Sequence, residues 1–197
     1  MLKTTKFLIC VVLIIIITLS LPFEFMTATA SDDSNDSDNT VVFTQENIKK
    51  EDMRKKSDIT WEHLESYLQK FPYLSGISEI LIQVQEEYEV NALLLLAIIR
   101  LESGNGKSDI AQAKNNLGGL VGVYKSKAVY KHFDSKNDCI VFMANLLSSY
   151  YLTEGGKYFN GYTISDIAQC YSGSKNWIEL VYQLIYEIQY GLNNIII

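Results

Sequence analysis

Glu102 is the residue whose setting could do chemistry. It follows the ten residues 92–101, ALLLLAIIRL, which are apolar nearly all round, and precedes the glycine turn Ser103-Gly104-Asn105-Gly106. A carboxyl at the end of a buried helix is partly desolvated, which disfavours its charged form. It also stands at the negative end of the helix dipole, which acts in the same direction. Together these effects let a carboxyl keep its proton near neutral pH, as a general acid must. Arg100, two residues earlier, points elsewhere on a helix and need not neutralise it. Taken alone, the position suits a merely solvated glutamate better, because most helix-end carboxylates are exposed.

The surrounding pattern predicts a mainly helical α+β domain. Trp61, Leu64, Leu68 and Phe71 recur at helical spacing up to Pro72. Ile77, Ile80, Leu81, Val84 and Tyr88 stripe a second amphipathic helix, and Asn91 can cap the buried third one. Ser108 can cap a short helix. Residues 117–133, with glycines at Gly118, Gly119 and Gly122 and apolar positions around Lys125-Ser126-Lys127, read as a small β-hairpin lobe inserted after the buried helix. Ser135 to Asp138 opens another helix in the manner of a capping box, and Ile140, Met143, Leu147 and Tyr151 follow on one face. Thr163 opens a short helix ending near Cys170. Trp177, Leu180, Val181, Leu184, Ile185 and Ile188 stripe the last.

Residues 1–30 read as a secretory signal: Lys3 and Lys6, the apolar run from Phe7 to Ile17, then Ala28-Thr29-Ala30. Cleavage after Ala30 is expected; an uncleaved N-terminal anchor is the alternative. Residues 31–39, SDDSNDSDN, contain no apolar side chain and should be disordered. Residues 45–56 are mostly charged, and Ile48 and Met53 alone give them little to pack. The expected organisation is therefore a signal or anchor over 1–30, a disordered charged linker over 31–57, and one domain over 58–197. A chain starting near Ser57 should then fold.

The 197 residues are 48% hydrophobic, which excludes wholesale disorder. With 17 basic against 23 acidic residues the net charge is -6, which argues against a nucleic-acid partner. Three cysteines and two histidines are too few for a zinc cluster or a disulfide scaffold. Export would permit a Cys139–Cys170 bridge, but both sit in apolar helical patterns, where small buried thiols are common.

The series Leu-Glu-Ser-Gly-Asn-Gly-Lys-Ser from Leu101, Ala-Lys-Asn-Asn-Leu-Gly-Gly-Leu from Ala113, and Asp-Ile-Ala-Gln-Cys-Tyr from Asp166 with Trp177 behind it resembles the bacterial glucosaminidase family. This is the autolysin and flagellar-hydrolase type of the lysozyme-like superfamily. The resemblance covers about residues 75–190. It implies a lysozyme-like helical fold, peptidoglycan glycan strands as substrate, and neither metal nor cofactor. By matching position it makes Glu102 the acid that protonates the glycosidic oxygen. It places Asn116, Leu117, Gly118 and Gly119 along the sugar groove, where glycines let the backbone approach an N-acetyl group. Tyr171 would face the cleft; a plain core tyrosine is the competing reading. Ser103 would support the turn rather than react.

Two-carboxylate glycosidases need a second acid across the scissile bond. Between Ser103 and Phe133 the sole acid is Asp109, well explained by the first turn of a short helix. Asp138 reads as a capping residue. The second carboxylate is either Asp134 or absent, in which case the substrate's acetamido group could be the nucleophile. The leading reading is an N-acetylglucosaminidase. A lytic transglycosylase or muramidase of the same fold, and a catalytically silent wall-binding scaffold, are the alternatives.

Overall fold

The computed structural model describes residues 45–172 and 174–193. The expected signal segment, the polar stretch 31–39 and the apolar end 195–197 lie outside the described residues. The elements run α1 (Gln45–Lys49), α2 (Trp61–Leu68), a 3-10 turn (Pro72–Leu74), α3 (Ser78–Tyr88), α4 (Ala92–Ser103), α5 (Asp109–Lys114), β1 (Val121–Tyr124), β2 (Lys127–Tyr130), α6 (Lys136–Leu146), a π-helical continuation (Leu147–Leu152), α7 (Ile164–Tyr171) and α8 (Lys175–Asn193). The architecture is the expected helical domain with a small two-stranded antiparallel lobe.

Helix α4 is the centre. Every residue from Ala92 to Arg100 is buried, and α3 and α8 pack against it. Asn91 starts it: its side-chain oxygen accepts from Leu93 N–H and Leu94 N–H at 2.9 and 3.2 Å, satisfying donors that a helix start leaves open. Ser103 ends it, donating through Oγ to Ile99 O and accepting from Gly106 N–H. Gly104 then turns the chain at φ 59°. Gly106 has φ +77°, and a Cβ there would lie 2.9 Å from both Tyr73 O and Leu74 Cδ2, so the tight turn after Glu102 admits only glycine.

The other starts follow the sequence. Ser108 accepts from Ala111 N–H at the head of α5. Thr163 and Asp166 form a reciprocal capping box on α7. Lys125 and Ser126, both at positive φ, make the two-residue hairpin turn. Trp61 departs from its expected stripe: it is 43% exposed while Leu64, Tyr67 and Leu68 are buried. The packed face of α2 is rotated toward Tyr67, whose hydroxyl accepts from Arg100 Nη1.

The expected charged linker over 31–57 is corrected at its C-terminal end. Ile48 and Met53 are fully buried core residues, and α1 packs on α8. Polar groups complete the docking. Met53 N–H donates to Tyr162 O, and Met53 O accepts from Asn91 N–H. Asn91 Nδ2 donates to Lys55 O. Buried Gln85 accepts from Ser57 N–H and Ala92 N–H and donates to Ser57 O. Two apolar side chains in a charged stretch suffice because the rest of the domain supplies both their pocket and the backbone partners. The cysteine bridge does not form: Cys139 and Cys170 are free, the first buried and the second exposed.

A chain beginning at Ser57 should therefore fold poorly. It loses two buried apolar side chains whose removal costs about 2–5 kcal/mol each, so its melting temperature should fall by at least about 8 °C relative to a chain beginning at Thr40. Calorimetry of the two truncations checks this; equal melting curves would show that Ile48 and Met53 contribute nothing.

Candidate active site

Glu102 lies in the last turn of α4, half-buried where the helix emerges from the core. Its carboxylate meets the first turn of α8, where Trp177 Nε1–H donates to Glu102 Oε1 at 3.1 Å. Among the described residues Oε2 makes no hydrogen bond, and no cation pairs with Glu102. Arg100 is turned away, as expected. It is 5% exposed and bonds Tyr67 OH, Asn105 Oδ1 and the Glu187 carboxylate. Burial pushes the Glu102 carboxyl above its usual range, and the Trp177 hydrogen bond partly offsets this. The two causes oppose because burial penalises the charge whereas an N–H donor favours the anion.

Trp177 belongs to an aromatic wall. Its ring lies 5.0 Å from that of Tyr171 at the end of α7, and Tyr171 lies 5.6 Å from Tyr151 in the π-helical segment. Tyr158 follows at 5.1 Å from Tyr151. Trp177, Tyr171 and Tyr151 are all buried. Tyr171 is thus linked to Glu102 by way of Trp177, whose indole hydrogen-bonds the carboxylate. From the sequence Trp177 is visible as the first residue of the α8 stripe. Its indole N–H has no sequence signature, because it meets Glu102 only once α8 packs on α4.

The loop assigned to the sugar groove is built largely inward. Asn116 is 1% exposed: its Nδ2 donates to Leu120 O and Lys131 O, and its Oδ1 accepts from Leu120 N–H. It closes the base of the hairpin. Leu117 is a core side chain whose N–H donates to Cys139 Sγ. A Cβ on Gly118 would lie 2.9 Å from Met143 Sδ, whereas one on Gly119, at φ +59°, would meet nothing within 4 Å. Of the four residues, Gly119 alone faces open space, so the side chains of Asn116 and Leu117 shape the loop and any contact to a sugar falls to backbone.

Asp134 is exposed at the foot of the hairpin. Its backbone is pinned by Asn115 Nδ2, which donates to Phe133 O and Asp134 O. The cap of α6 is Ser135, which accepts from Asp138 N–H and donates to the Asp138 carboxylate. The capping explanation therefore belongs to Ser135 and Asp138, not to Asp134.

A cavity of about 200 Å³ lies at the other end of α4, lined by Glu51, Met53, Ile59, Asn91, Leu93 and Ile185 among others. Glu102 is not among its lining residues, and the acid with its aromatic wall is the arrangement that can do proton chemistry. Among the described residues no cluster of three or more histidine, cysteine or acidic side chains stands ready to hold a metal.

The family model described as "Glucosaminidase: Mannosyl-glycoprotein endo-beta-N-acetylglucosaminidase" matches residues 78–190, more than half of the chain. No curated protein matches the chain in a sequence comparison. Among solved structures, S. aureus autolysin E is similar at 19% identity and a TM-score of 0.53, over 76% of this chain and 75% of that one. Autolysin E in complex with the muropeptide NAM-L-Ala-D-iGlu matches at 18% identity and a TM-score of 0.56, over 73% of each chain. A catalytic glutamate-to-alanine mutant of autolysin E, in complex with the disaccharide NAG-NAM, matches at 20% identity and a TM-score of 0.53, again over 73% of each chain. At these identities the likeness shows a shared fold, and the family match shows the rest. The chain belongs to the glucosaminidase family and is a glycoside hydrolase.

Proposed function

We propose that this chain is an exported peptidoglycan hydrolase that cleaves the glycan backbone after N-acetylglucosamine, with Glu102 as general acid. The observation that carries the reading is the half-buried Glu102 carboxyl, raised in pKa and bonded at one oxygen to Trp177. The substrate follows the ligands of autolysin E, and the export follows Lys3, Lys6, the apolar run and Ala28-Thr29-Ala30.

An indole nitrogen can only donate. Oε1 therefore acts as the acceptor in both protonation states, and the proton of the neutral acid sits on Oε2. That proton passes to the glycosidic oxygen as the bond to the sugar C1 breaks. The charge growing at C1 is met by water or by the substrate's own acetamido oxygen. The carboxylate left behind is favoured by the same Trp177 N–H, which strengthens as negative charge develops. When water completes the reaction, the carboxylate takes its proton and the acid is restored.

Glu102→Gln keeps the shape and the acceptor for Trp177 but has no transferable proton. Wall-clearing turnover should fall at least about 10²-fold. Mass spectrometry of wild-type digests should show reducing N-acetylglucosamine ends; anhydro-muramic ends would indicate a transglycosylase instead. Equal clearing by both proteins would sink the assignment. A raised carboxyl stabilises the fold fully below its unfolded pKa, and that contribution is lost as pH rises through the folded value. Glu102→Gln should therefore melt above wild type at pH 8, with the gap closing toward pH 4.

Trp177→Phe preserves the stack on Tyr171 and removes the donor. The Glu102 pKa should rise further, so the alkaline limb of activity should move to higher pH. Turnover should drop about ten-fold, the lower end for a hydrogen bond to a charged group. An unmoved pH profile would reduce Trp177 to a packing role.

Asp134→Asn should be mild, within a few-fold. No described side chain holds its exposed carboxylate toward a reacting atom, and position at the start of α6 suits an acid on dipole grounds alone. A loss as severe as that of Glu102→Gln, with the fold intact, would restore a two-carboxylate mechanism.

A further inference from the structure

Glu102 sits between two residues that hold each other. Arg100 lies two positions before it and Asn105 three positions after it. Arg100 Nε donates to Asn105 Oδ1 at 2.8 Å, and Asn105 N–H donates back to Arg100 O at 2.8 Å. Gly104 N–H shares that carbonyl. These bonds secure a turn of three successive left-handed residues, Gly104, Asn105 and Gly106, at φ 59°, 58° and 77°. Asn105 is the one of the three with a side chain, and a left-handed residue other than glycine persists only where its surroundings hold it.

The same guanidinium reaches the helix that carries Trp177. Arg100 Nη2 donates to the Glu187 carboxylate on α8 at 3.1 Å. Arg100 Nη1 donates to Tyr67 OH on α2 at 2.6 Å. Tyr67 OH in turn donates to Glu187 Oε1 at 3.3 Å, which closes a ring of three groups. Each guanidinium nitrogen thus has its own partner, a use of the planar fork that a point charge does not reproduce. Stability alone does not call for a cation here, because well-packed apolar side chains in place of a buried ion pair are often as stable. An apolar side chain would, however, leave Asn105 and α8 without a common anchor.

We infer that Arg100 is a positioning residue for the acid: by holding Asn105 and α8 at once, it keeps the Glu102 carboxyl half-buried and in register with Trp177. The inference rests on the reading of Glu102 as general acid and assigns its geometry to a residue two positions away. Glu187 follows Trp177 by ten residues, about 15 Å along α8, so anchor and donor ride on one helix. Without the anchor the last turn of α4 is free to fray and to admit water to the carboxyl. Water favours the charged form, so Glu102 would then lose its proton at lower pH. Burial and the Trp177 N–H are the influences that act on Glu102 in the intact site. The ionisable groups on the packed elements beside Arg100, Glu187 on α8 and Tyr67 on α2, are bonded to the guanidinium.

The test uses the full chain, with every variant measured at least about 20 °C below its own melting temperature. Asn105→Gly keeps the left-handed backbone and removes the acceptor. Its kcat on peptidoglycan should fall about ten-fold with KM within about two-fold of wild type. The alkaline limb of its kcat should move down by at least about 0.5 pH unit. Asn105→Asp keeps the acceptor for Arg100 and should hold kcat within about three-fold, with no downward move of the limb. Met53→Ala, at the other end of α4, removes core contacts and should move neither quantity. The indole N–H resonance of Trp177, identified by its loss in Trp177→Phe, reports the same carboxyl by NMR without turnover. Its titration midpoint should fall in Asn105→Gly and not in Asn105→Asp. An Asn105→Gly protein with wild-type kcat, or with a wild-type indole midpoint, overturns the inference. So does a Met53→Ala protein that shifts as far. If Glu102→Gln clears walls as well as wild type, the acid reading is what fails, and the indole midpoints alone then decide whether Arg100 positions the carboxyl.

Discussion

A helix apolar on every side has to be wrapped, and the rest of this domain is the wrapping. Nine consecutive residues of α4, from Ala92 to Arg100, are buried. Each large apolar side chain among them contributes about 1.5–3 kcal/mol when taken out of water. Helices α3 and α8 close on it, and the segment around Met53 crosses its start. The single charge in the buried stretch, Arg100, is tolerated because Tyr67, Asn105 and Glu187 satisfy its guanidinium. Removing any of these would leave a buried cation short of partners, a costly arrangement.

The same constraint makes Glu102 what it is. The helix leaves the core one turn after its buried stretch, so the carboxyl is neither solvated nor sealed. Arg100, whose charge would hold it ionised, is engaged on the α2 and α8 side. Trp177 provides a donor without a charge, which orients the carboxyl while leaving burial as the dominant influence on its proton. The stack of Trp177, Tyr171 and Tyr151 fixes the indole, so α7 and the π-helical turn after α6 bear on the acid through Trp177.

Beyond the acid the molecule divides in electrostatic character. Among the described residues every carboxylate lies outside the stretch between Asp109 and Asp134, whose charged side chains are four lysines. Asn116 ties this lobe to its base with three hydrogen bonds, while Asn115 secures the strand returning to α6. The lobe is therefore held at its foot and exposed along its faces.

Periodicity and end signals are local physics, so the main helices, their caps at Asn91, Ser108, Ser135 and Thr163, and the hairpin around Lys125-Ser126-Lys127 were legible from the residues. So was the direction of the Glu102 pKa, because a carboxyl that follows a helix of nine apolar residues and one arginine is partly desolvated when that helix is buried. Tertiary structure alone decided the rest. Ile48 and Met53 look stranded among charges until the pocket that receives them exists. Asn116 and Leu117 read as groove residues by position, yet their side chains turn inward to close the hairpin and fill the core. Trp177 is one more apolar position in a stripe until α8 lies against α4. A hydrogen bond between residues 75 apart is a property of how two helices pack, and no local spacing encodes it.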